Sequence, residues 1–513
     1  MLGTRLRTLA TLATLVPLTL AGTEVTSAAP VSSHAAAGST LTIALPNDIT
    51  GWGPDQAQGN YQAWPFEAVY DSLVRCTVSN AVVPGLATSW TFNPRHTVFT
   101  AHIRPGMVFS DGTPVNAAAV KANYSRDQKL PTGGGYWTGL TFTTPDPMTI
   151  VVTSAKPDPA MPVVNLCSNG IASPKYLASG KLNTAPVGSG PYTLEASATT
   201  PGSVYTLVKN PGNWDAKAFP FNTIVMKVIG SPTAIINALK TGQLDGAPVP
   251  QNLYNETIAS GLKLVALPGE TTRLLITDHL GKIVPALGNV NVRRAMNMVF
   301  DKSAIAKALY QGHATPTDQI PPPTADAYSK GLKDPYPYNI AAAKALMAKA
   351  GYANGFSVDM PFYAGVGMDS LFPVVIQQLG LINIKVHEVT LTGPNAISEL
   401  LSGKYPLLMW PLGNYGNTLS DIAQAILQPS IWNVEHQPDA TIQSLYTKML
   451  NSTTTAQYKA NLQAIYRYTI DQAWFVPIVY QNVYFAYNPK TVSIPAVSDS
   501  QYLNPLLWDF RLP

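Results

Sequence analysis

The side chains best suited to covalent or metal chemistry are few in this sequence: two cysteines, Cys76 and Cys167, and seven histidines. Neither cysteine has a His, Cys or Asp at ligand spacing and the histidines are scattered, so no metal site and no cofactor is expected. No G-x-S-x-G elbow, H-E-x-x-H helix or Cys-His pairing occurs, which leaves no catalytic residue to name. What remains is binding chemistry. The run LLMWPLGNYGNTLSDIAQAIL (407–427) sets Trp410 and Tyr415 beside Asn414 and Asn417, with glycines that allow close backbone approach. Aromatic walls with a few oriented neutral polar groups are how clefts take small solutes. Trp52, and Tyr136 with Trp137 after a run of three glycines, have the same character. For each single aromatic the alternative is ordinary core packing.

The elements that must position these residues show in caps and periodicity. Ser231 caps a helix with Pro232 at its first position and Gly242 after its end. Asn291 and Asp301 are read as successive N-caps, the second helix closing at Gly312, and Asn339 starts another that ends at Gly351. β-Branched runs predict strands at 41–45, 98–103, 149–153, 223–229, 273–277, 384–389 and 475–480. The interleaving indicates a mixed α/β protein with several small sheets. Leu86, Trp90, Phe99, Phe109 and Val120 are expected in the core, and Asp111-Gly112 and Gly188 to Pro191 are expected to form turns.

Composition narrows the function. The 513 residues are 46% hydrophobic and only 12% charged, with a net charge of +4. A large core is implied, and no basic excess exists to neutralise nucleic-acid phosphates. At the N-terminus, Arg5 and Arg7 precede an apolar stretch at 9–22 and the small residues TSAAP, the pattern of a cleaved secretory signal peptide (1–29), followed by a flexible tether (30–40). Leu20, Ala21 and Gly22 stand where a bacterial lipoprotein signal precedes its acylated cysteine, but position 23 is Thr, so no lipid anchor is expected. The protein is read as exported, to the periplasm or cell surface.

Several blocks then carry a resemblance: VYDSLVR (69–75), PGLATSW (84–90), VFTAHIRPGMVFSDGTPVNAAAVKANYSR (98–126), PVGSGPYTLE (186–195), NPGNWD (210–215), ALKTGQLDGA (238–247), VRRAMNMVFDKSAIAKALYQGHA (292–314) and AAAKALMAKAGYANGF (341–356). In this order they resemble the family 5 extracellular solute-binding proteins, the peptide and nickel type receptors of ABC importers. The resemblance implies an α/β, bilobal, periplasmic-binding-protein-like (Venus flytrap) fold. A large lobe would span 41–272 with the C-terminal segment 481–513, a small lobe 273–480, and the hinge crossovers would lie near 271–277 and 475–480. It also implies a monomer that captures a peptide or small-molecule ligand and delivers it to a transmembrane permease.

In the peptide receptors the stretch matching 407–427 supplies an aspartate for the ligand's α-amino group, whereas here 413–417 holds no acid and the first is Asp421. An ordinary free-amine peptide is therefore less favoured than the family name suggests, since a buried ammonium without a carboxylate is costly, and a peptide or modified peptide is the first reading. The alternatives are a neutral solute such as an oligosaccharide or hydrophobic compound, and a metal chelate. Readings of another class are a secreted hydrolase, a surface adhesin and a chaperone.

In an exported chain an even cysteine count allows one disulfide, Cys76 to Cys167, and a loop of 91 residues would remove about 4–5 kcal/mol of unfolded-state entropy. Two buried free thiols are the alternative. Thiol labelling of the denatured, unreduced protein is expected to find none; two per chain would rule the bridge out.

Overall fold

Short β-branched runs become strands here because alternate side chains find cover. In the computed structural model Leu41 and Ile43 of TLTIAL are buried while Thr40 and Thr42 keep part of their surface. The structure describes residues 40–49, 51–54, 63–77, 81–130, 137, 139–159, 161–167, 169–323, 325–363, 368–392, 396–413, 421–427, 430, 432–434, 438–452, 454–496, 498 and 504–513. The expected signal segment and all of the tether but Thr40 lie outside them.

Among the described residues nine strands form one sheet: β1 (Thr40–Leu45), β2 (Tyr192–Leu194), β3 (Val204–Lys209), β4 (Thr223–Val228), β5 (Gly246–Val249), β6 (Lys263–Leu275), β7 (Ala314–Pro316), β8 (Leu408–Gly413) and β9 (Phe475–Tyr487). Their order is β8-β6-β9-β5-β1-β4-β3-β2, with β7 also paired to β9. β1 runs parallel to β4 and β5, while β6 and β9 are antiparallel from Lys263↔Tyr487 to Leu275↔Phe475. A four-stranded antiparallel sheet and two two-stranded sheets stand beside it. Three small sheets are thus present as expected, and the large nine-stranded sheet is what the expectation lacked. Residues 273–275 of the first run and all of 475–480 belong to two strands of 13 residues each, while Ile276 and Thr277 lie beyond the strand end. Pro268 and Gly269 interrupt the apolar pattern of β6, yet Gly269 is what lets the strands meet, because a side chain there would run into the Gln481 carbonyl.

Buried apolar residues change cluster along these two strands. Val265 and Leu267 of β6 and Phe485 of β9 pack with Leu41, Ile43, Trp64 and Phe510. Leu274 and Val476 pack with Val292, Met296 and Phe372, and Leu275 and Phe475 with Tyr405, Leu408 and Ile422. Another core, around Phe99, Phe109, Val120 and Val152, covers the four-stranded sheet. The Cys76–Cys167 disulfide is formed there, with Cα atoms 5.6 Å apart. Leu86, Phe99, Phe109 and Val120 are buried as expected, but Trp90 only packs against the core from a half-buried position.

The caps behave as local chemistry dictates. Ser231, Asp301 and Asn339 each accept a hydrogen bond from the backbone N–H three residues on. The helix expected to start from Asn291 is capped by Asn289 instead. Asn289 has extended backbone and its side chain accepts from the Asn291 N–H, so Asn291 already lies inside the helix Val290–Asn297.

Three of the blocks quoted above meet at one carboxylate. Asp71 is buried and accepts from Ser189 Oγ (3.0 Å), Asn213 Nδ2 (3.3 Å) and Trp214 Nε1 (3.3 Å), with Arg75 beside it at 3.4 Å. Gly188 and Gly190 lie so close to the Val69 carbonyl that no side chain fits at either. These motifs hold the scaffold together; their atoms are spent on one another.

The C-terminal segment docks on the helix Ala63–Val69. Trp64 Nε1 donates to the Pro505 carbonyl (2.6 Å) and the Leu507 N–H donates to Glu67 (3.1 Å). Burial pushes the Glu67 carboxyl up to about 8, opposed by the Leu507 hydrogen bond, reinforced by the Asp509 charge and opposed by Arg75. The folded chain therefore keeps this proton where the unfolded chain, with its ordinary value of 4.5, has lost it. The associated stability is complete below the unfolded value and is lost as pH rises through the folded one. Between about pH 5 and pH 8.5 the melting temperature of the wild type should fall by a few degrees more than that of Glu67→Gln. Parallel profiles would contradict the shift.

Candidate functional site

β8 brings the candidate residue Trp410 into the sheet opposite Arg273 of β6. Leu408, Met409 and Leu412 around it are buried, whereas Trp410 is only partly covered. Its ring lies 5.1 Å from that of Trp432 and 6.4 Å from that of Tyr363, with interplanar angles of 33° and 19°. Tyr363 ends the strand Phe356–Tyr363, and Trp432 follows the turn Ile422–Ile426. All three rings are half-buried, so a row of near-parallel aromatic faces and edges lies beside the sheet. Such a row can take an apolar, planar or sugar-like group. Sequence reading missed Tyr363 and Trp432, because only the fold brings positions 363, 410 and 432 together.

Asn414, Tyr415, Asn417 and Tyr136 lie outside the described residues. Trp52 and Trp137 are corrected from cleft wall to packing. Trp52 meets Tyr205 edge-on at 5.7 Å and its carbonyl accepts from the Tyr70 hydroxyl, with 3% of its surface exposed. Trp137 is 4% exposed and packs on Tyr124 and Phe142 at 4.7 and 5.9 Å. Each completes an apolar core that sequence alone could not place around it.

Asp421, the first acid after the 413–417 stretch, is already committed. Its Oδ1 lies 2.6 Å from Nη2 of Arg273 and its Oδ2 3.4 Å from Nη1, with the two side chains 3% and 0% exposed. Burial raises the Asp421 carboxyl and the Arg273 charge opposes that rise. The guanidinium also lies over the Phe475 ring at 5.6 Å. The sequence carried no signal for this pair, since its members are 148 positions apart and Arg273 sits in an apolar run. The pair anchors the segment that follows 414–420 to β6, and it commits the first carboxylate after 413–417 in the sequence to a structural role.

Neutral polar groups of β6 and β9 bond to one another and to their neighbours near the middles of these strands. Gln481 donates to Thr272 Oγ1 (2.7 Å), the Gly269 N–H donates to the Tyr480 hydroxyl (2.9 Å), and Thr271 donates to the Ile320 carbonyl (2.8 Å). Behind Trp432 lies a cavity of about 10 Å³ bounded by Thr277, His279, Asn433, Trp474 and Phe475, room for one water at most. His279 stacks on Trp474 at 4.3 Å, and burial, with help from the Arg293 charge, pushes its imidazole down to about 4. It stays neutral. A wider groove between the helices Ala440–Leu450 and Thr455–Asp471 is open and lined mainly by Gln, Ser, Thr and Asn, away from the aromatic row. Among the described residues no cluster of His, Cys, Asp and Glu can hold a metal ion, and no helix is long and apolar enough to cross a membrane.

The family model described as bacterial extracellular solute-binding proteins, family 5 Middle, matches residues 81–432. The glutathione-binding protein GsiB of Escherichia coli (strain K12) is 28% identical over 344 residues, covering 64% of this chain and 65% of the relative. The chain thus spans just under two thirds of the length of the curated relatives it matches. Among solved structures, the binding protein AgaA of A. tumefaciens R10, in complex with agropinic acid, superposes with a TM-score of 0.79 at 22% identity, over 92% of this chain and 99% of that one. The periplasmic binding protein DppA of Helicobacter pylori, in complex with the peptide STSA, gives 0.77 at 21%, over 93% and 98%. At those identities the likeness establishes the fold, the bilobal α/β architecture of periplasmic binding proteins.

Removing one partner of a buried ion pair strands the other charge and costs about 3–5 kcal/mol. Asp421→Ala is expected to lose stability on that scale in urea unfolding, and Arg273→Met with Asp421→Leu to recover most of it. A single variant as stable as the wild type would contradict the pairing.

Proposed function

This chain belongs to the family 5 bacterial extracellular solute-binding proteins, and from that premise we propose that it is an exported receptor that captures a peptide or modified peptide and delivers it to an ABC transporter permease. The two lobes are 41–272 with 481–513, and 273–480. The change of cores along β6 and β9 supports that division, and it makes the middles of these strands the hinge. Ligand contacts with both lobes favour the closed form, which the permease recognises. No bond is broken in such a cycle, so the protein acts as a monomeric binding protein and not as an enzyme. The signal peptide is cleaved and no lipid is attached, which places it in the periplasm or outside the cell.

The observation that carries the ligand class is the Arg273–Asp421 pair. With Asp421 neutralised and no acid at 413–420, a ligand ammonium finds no counter-charge on this segment. The ligand is a peptide whose amine is blocked or solvent-facing, held by Trp410, Tyr415, Asn414 and Asn417, with Trp432 and Tyr363 extending the aromatic wall. The row of three rings favours, as a second reading, a neutral sugar-like or hydrophobic solute.

Native mass spectrometry of the protein purified from its own source is expected to show a retained small solute. With that solute, Trp410→Ala should bind at least tenfold more weakly by calorimetry, about 1.4 kcal/mol, with little change in melting temperature. Unchanged affinity would sink this placement of the site.

A further inference from the structure

β9 is flanked on one side by β6 along its whole length, but on the other side by two separate strands. β5 ends at Val249, opposite Tyr484, and β7 begins at Ala314, opposite Gln481, so Asn482 and Val483 have no strand partner on that edge. The chain leaving β5 and the chain entering β7 meet at this gap. Asn255 Nδ2 donates to Gln311 Oε1 (2.7 Å) and Gln311 Nε2 donates to the Asn252 carbonyl (3.1 Å). The rings of Tyr254 and His313 lie 3.9 Å apart at 31°, and Tyr254 packs edge-on against Tyr484 at 5.0 Å. Tyr254 is packed on the core of Ala44, Ile235 and Tyr484, whereas the helix leading to Gln311, Lys302–Tyr310, is packed on that of Leu274 and Val292.

Gln311 adopts φ +52°, the left-handed region that side chains with a Cβ enter only when their surroundings hold them there. Glycine is the residue that suits such a helix end, and Gly312 follows at once with φ +80°. A glutamine at the strained position is explained by what its amide reaches, both of its polar ends being used on Asn255 and Asn252.

We infer that Asn252, Tyr254 and Asn255 with Gln311 and His313 form a non-covalent third crossing of the hinge, which bridges the gap between β5 and β7 and sets the angle at which the two lobes rest. This rests on the two-lobe reading above. The crossing works through the side chains of Asn255, Gln311, Tyr254 and His313 and the Asn252 carbonyl, and it can be cut at Gln311 or Asn255 without substituting a residue of β6, β9 or the aromatic row. Gln311→Gly removes the amide and relieves the backbone at the same time, so the tie and the strain disappear together.

The test is small-angle X-ray scattering of the full mature chain, stripped of ligand by reversible unfolding, for the wild type, Gln311→Gly and Asn255→Ala, with thermal melts alongside. The expected result is a larger radius of gyration in both variants than in the wild type, with a melting temperature for Gln311→Gly no lower than that of the wild type. Scattering curves that superpose on the wild type in both variants would overturn the inference. So would a Gln311→Gly protein that opens only together with a large loss of melting temperature, since that marks a general packing role. Variants that open in scattering, with wild-type protein purified from its own source retaining no solute in mass spectrometry, would contradict the receptor reading and leave the crossing standing.

Discussion

The antiparallel pairing of β6 with β9 is the constraint on which the rest of this structure depends. Both strands are long enough to lie in one core at one end and in another at the other. A sheet that passes between two hydrophobic bodies keeps its backbone hydrogen bonds satisfied on the way, which a loop buried at the same place could not do. The register shifts between Leu267/Glu270 and Thr272/Arg273 put the irregularities of the ladder between the cores. Irregularities of this kind increase local twist and let a strand bend. The neutral bonds of Thr272 with Gln481 and of Gly269 with Tyr480 hold that stretch without adding charge.

Arg273 follows the second irregularity and is fully buried, so it needs a counter-ion close by. Asp421 supplies it at 2.6 Å. This arrangement fixes the start of the turn Ile422–Ile426 against β6, and through β8 it sets Trp410 on the same side of the site. It also commits the acid that follows a stretch of neutral residues. The carboxylate that balances Arg273 in the fold is therefore already committed. The low charged fraction of the chain, 12%, has its local counterpart here.

What the sequence made legible is what local chemistry decides. Ser231, Asp301 and Asn339 cap helices with bonds to residues three positions away, and the Gly112 turn forms with φ +81° beside Asp111. Asn289 and Asn291 are not distinguishable in sequence because either could cap, and only the backbone at 289 decides between them. The family blocks could be read because they close on one another around Asp71, which constrains their residue types strongly. The single nine-stranded sheet, the Arg273–Asp421 pair and the row of Tyr363, Trp410 and Trp432 could not be read, because each depends on positions tens to hundreds of residues apart. Trp52 and Trp137 show the reverse failure. An aromatic after a loop looks the same in sequence whether it faces a ligand or a core.

The central claim is that the 413–420 segment, with Asp421 held by Arg273, offers no free carboxylate to a ligand ammonium. Calorimetry with one short apolar peptide in two forms, free and N-acetylated, tests it most directly. The acetylated form is expected to bind at least tenfold more tightly at neutral pH, about 1.4 kcal/mol. Tighter binding of the free amine would contradict the claim and require an acid at the site other than Asp421.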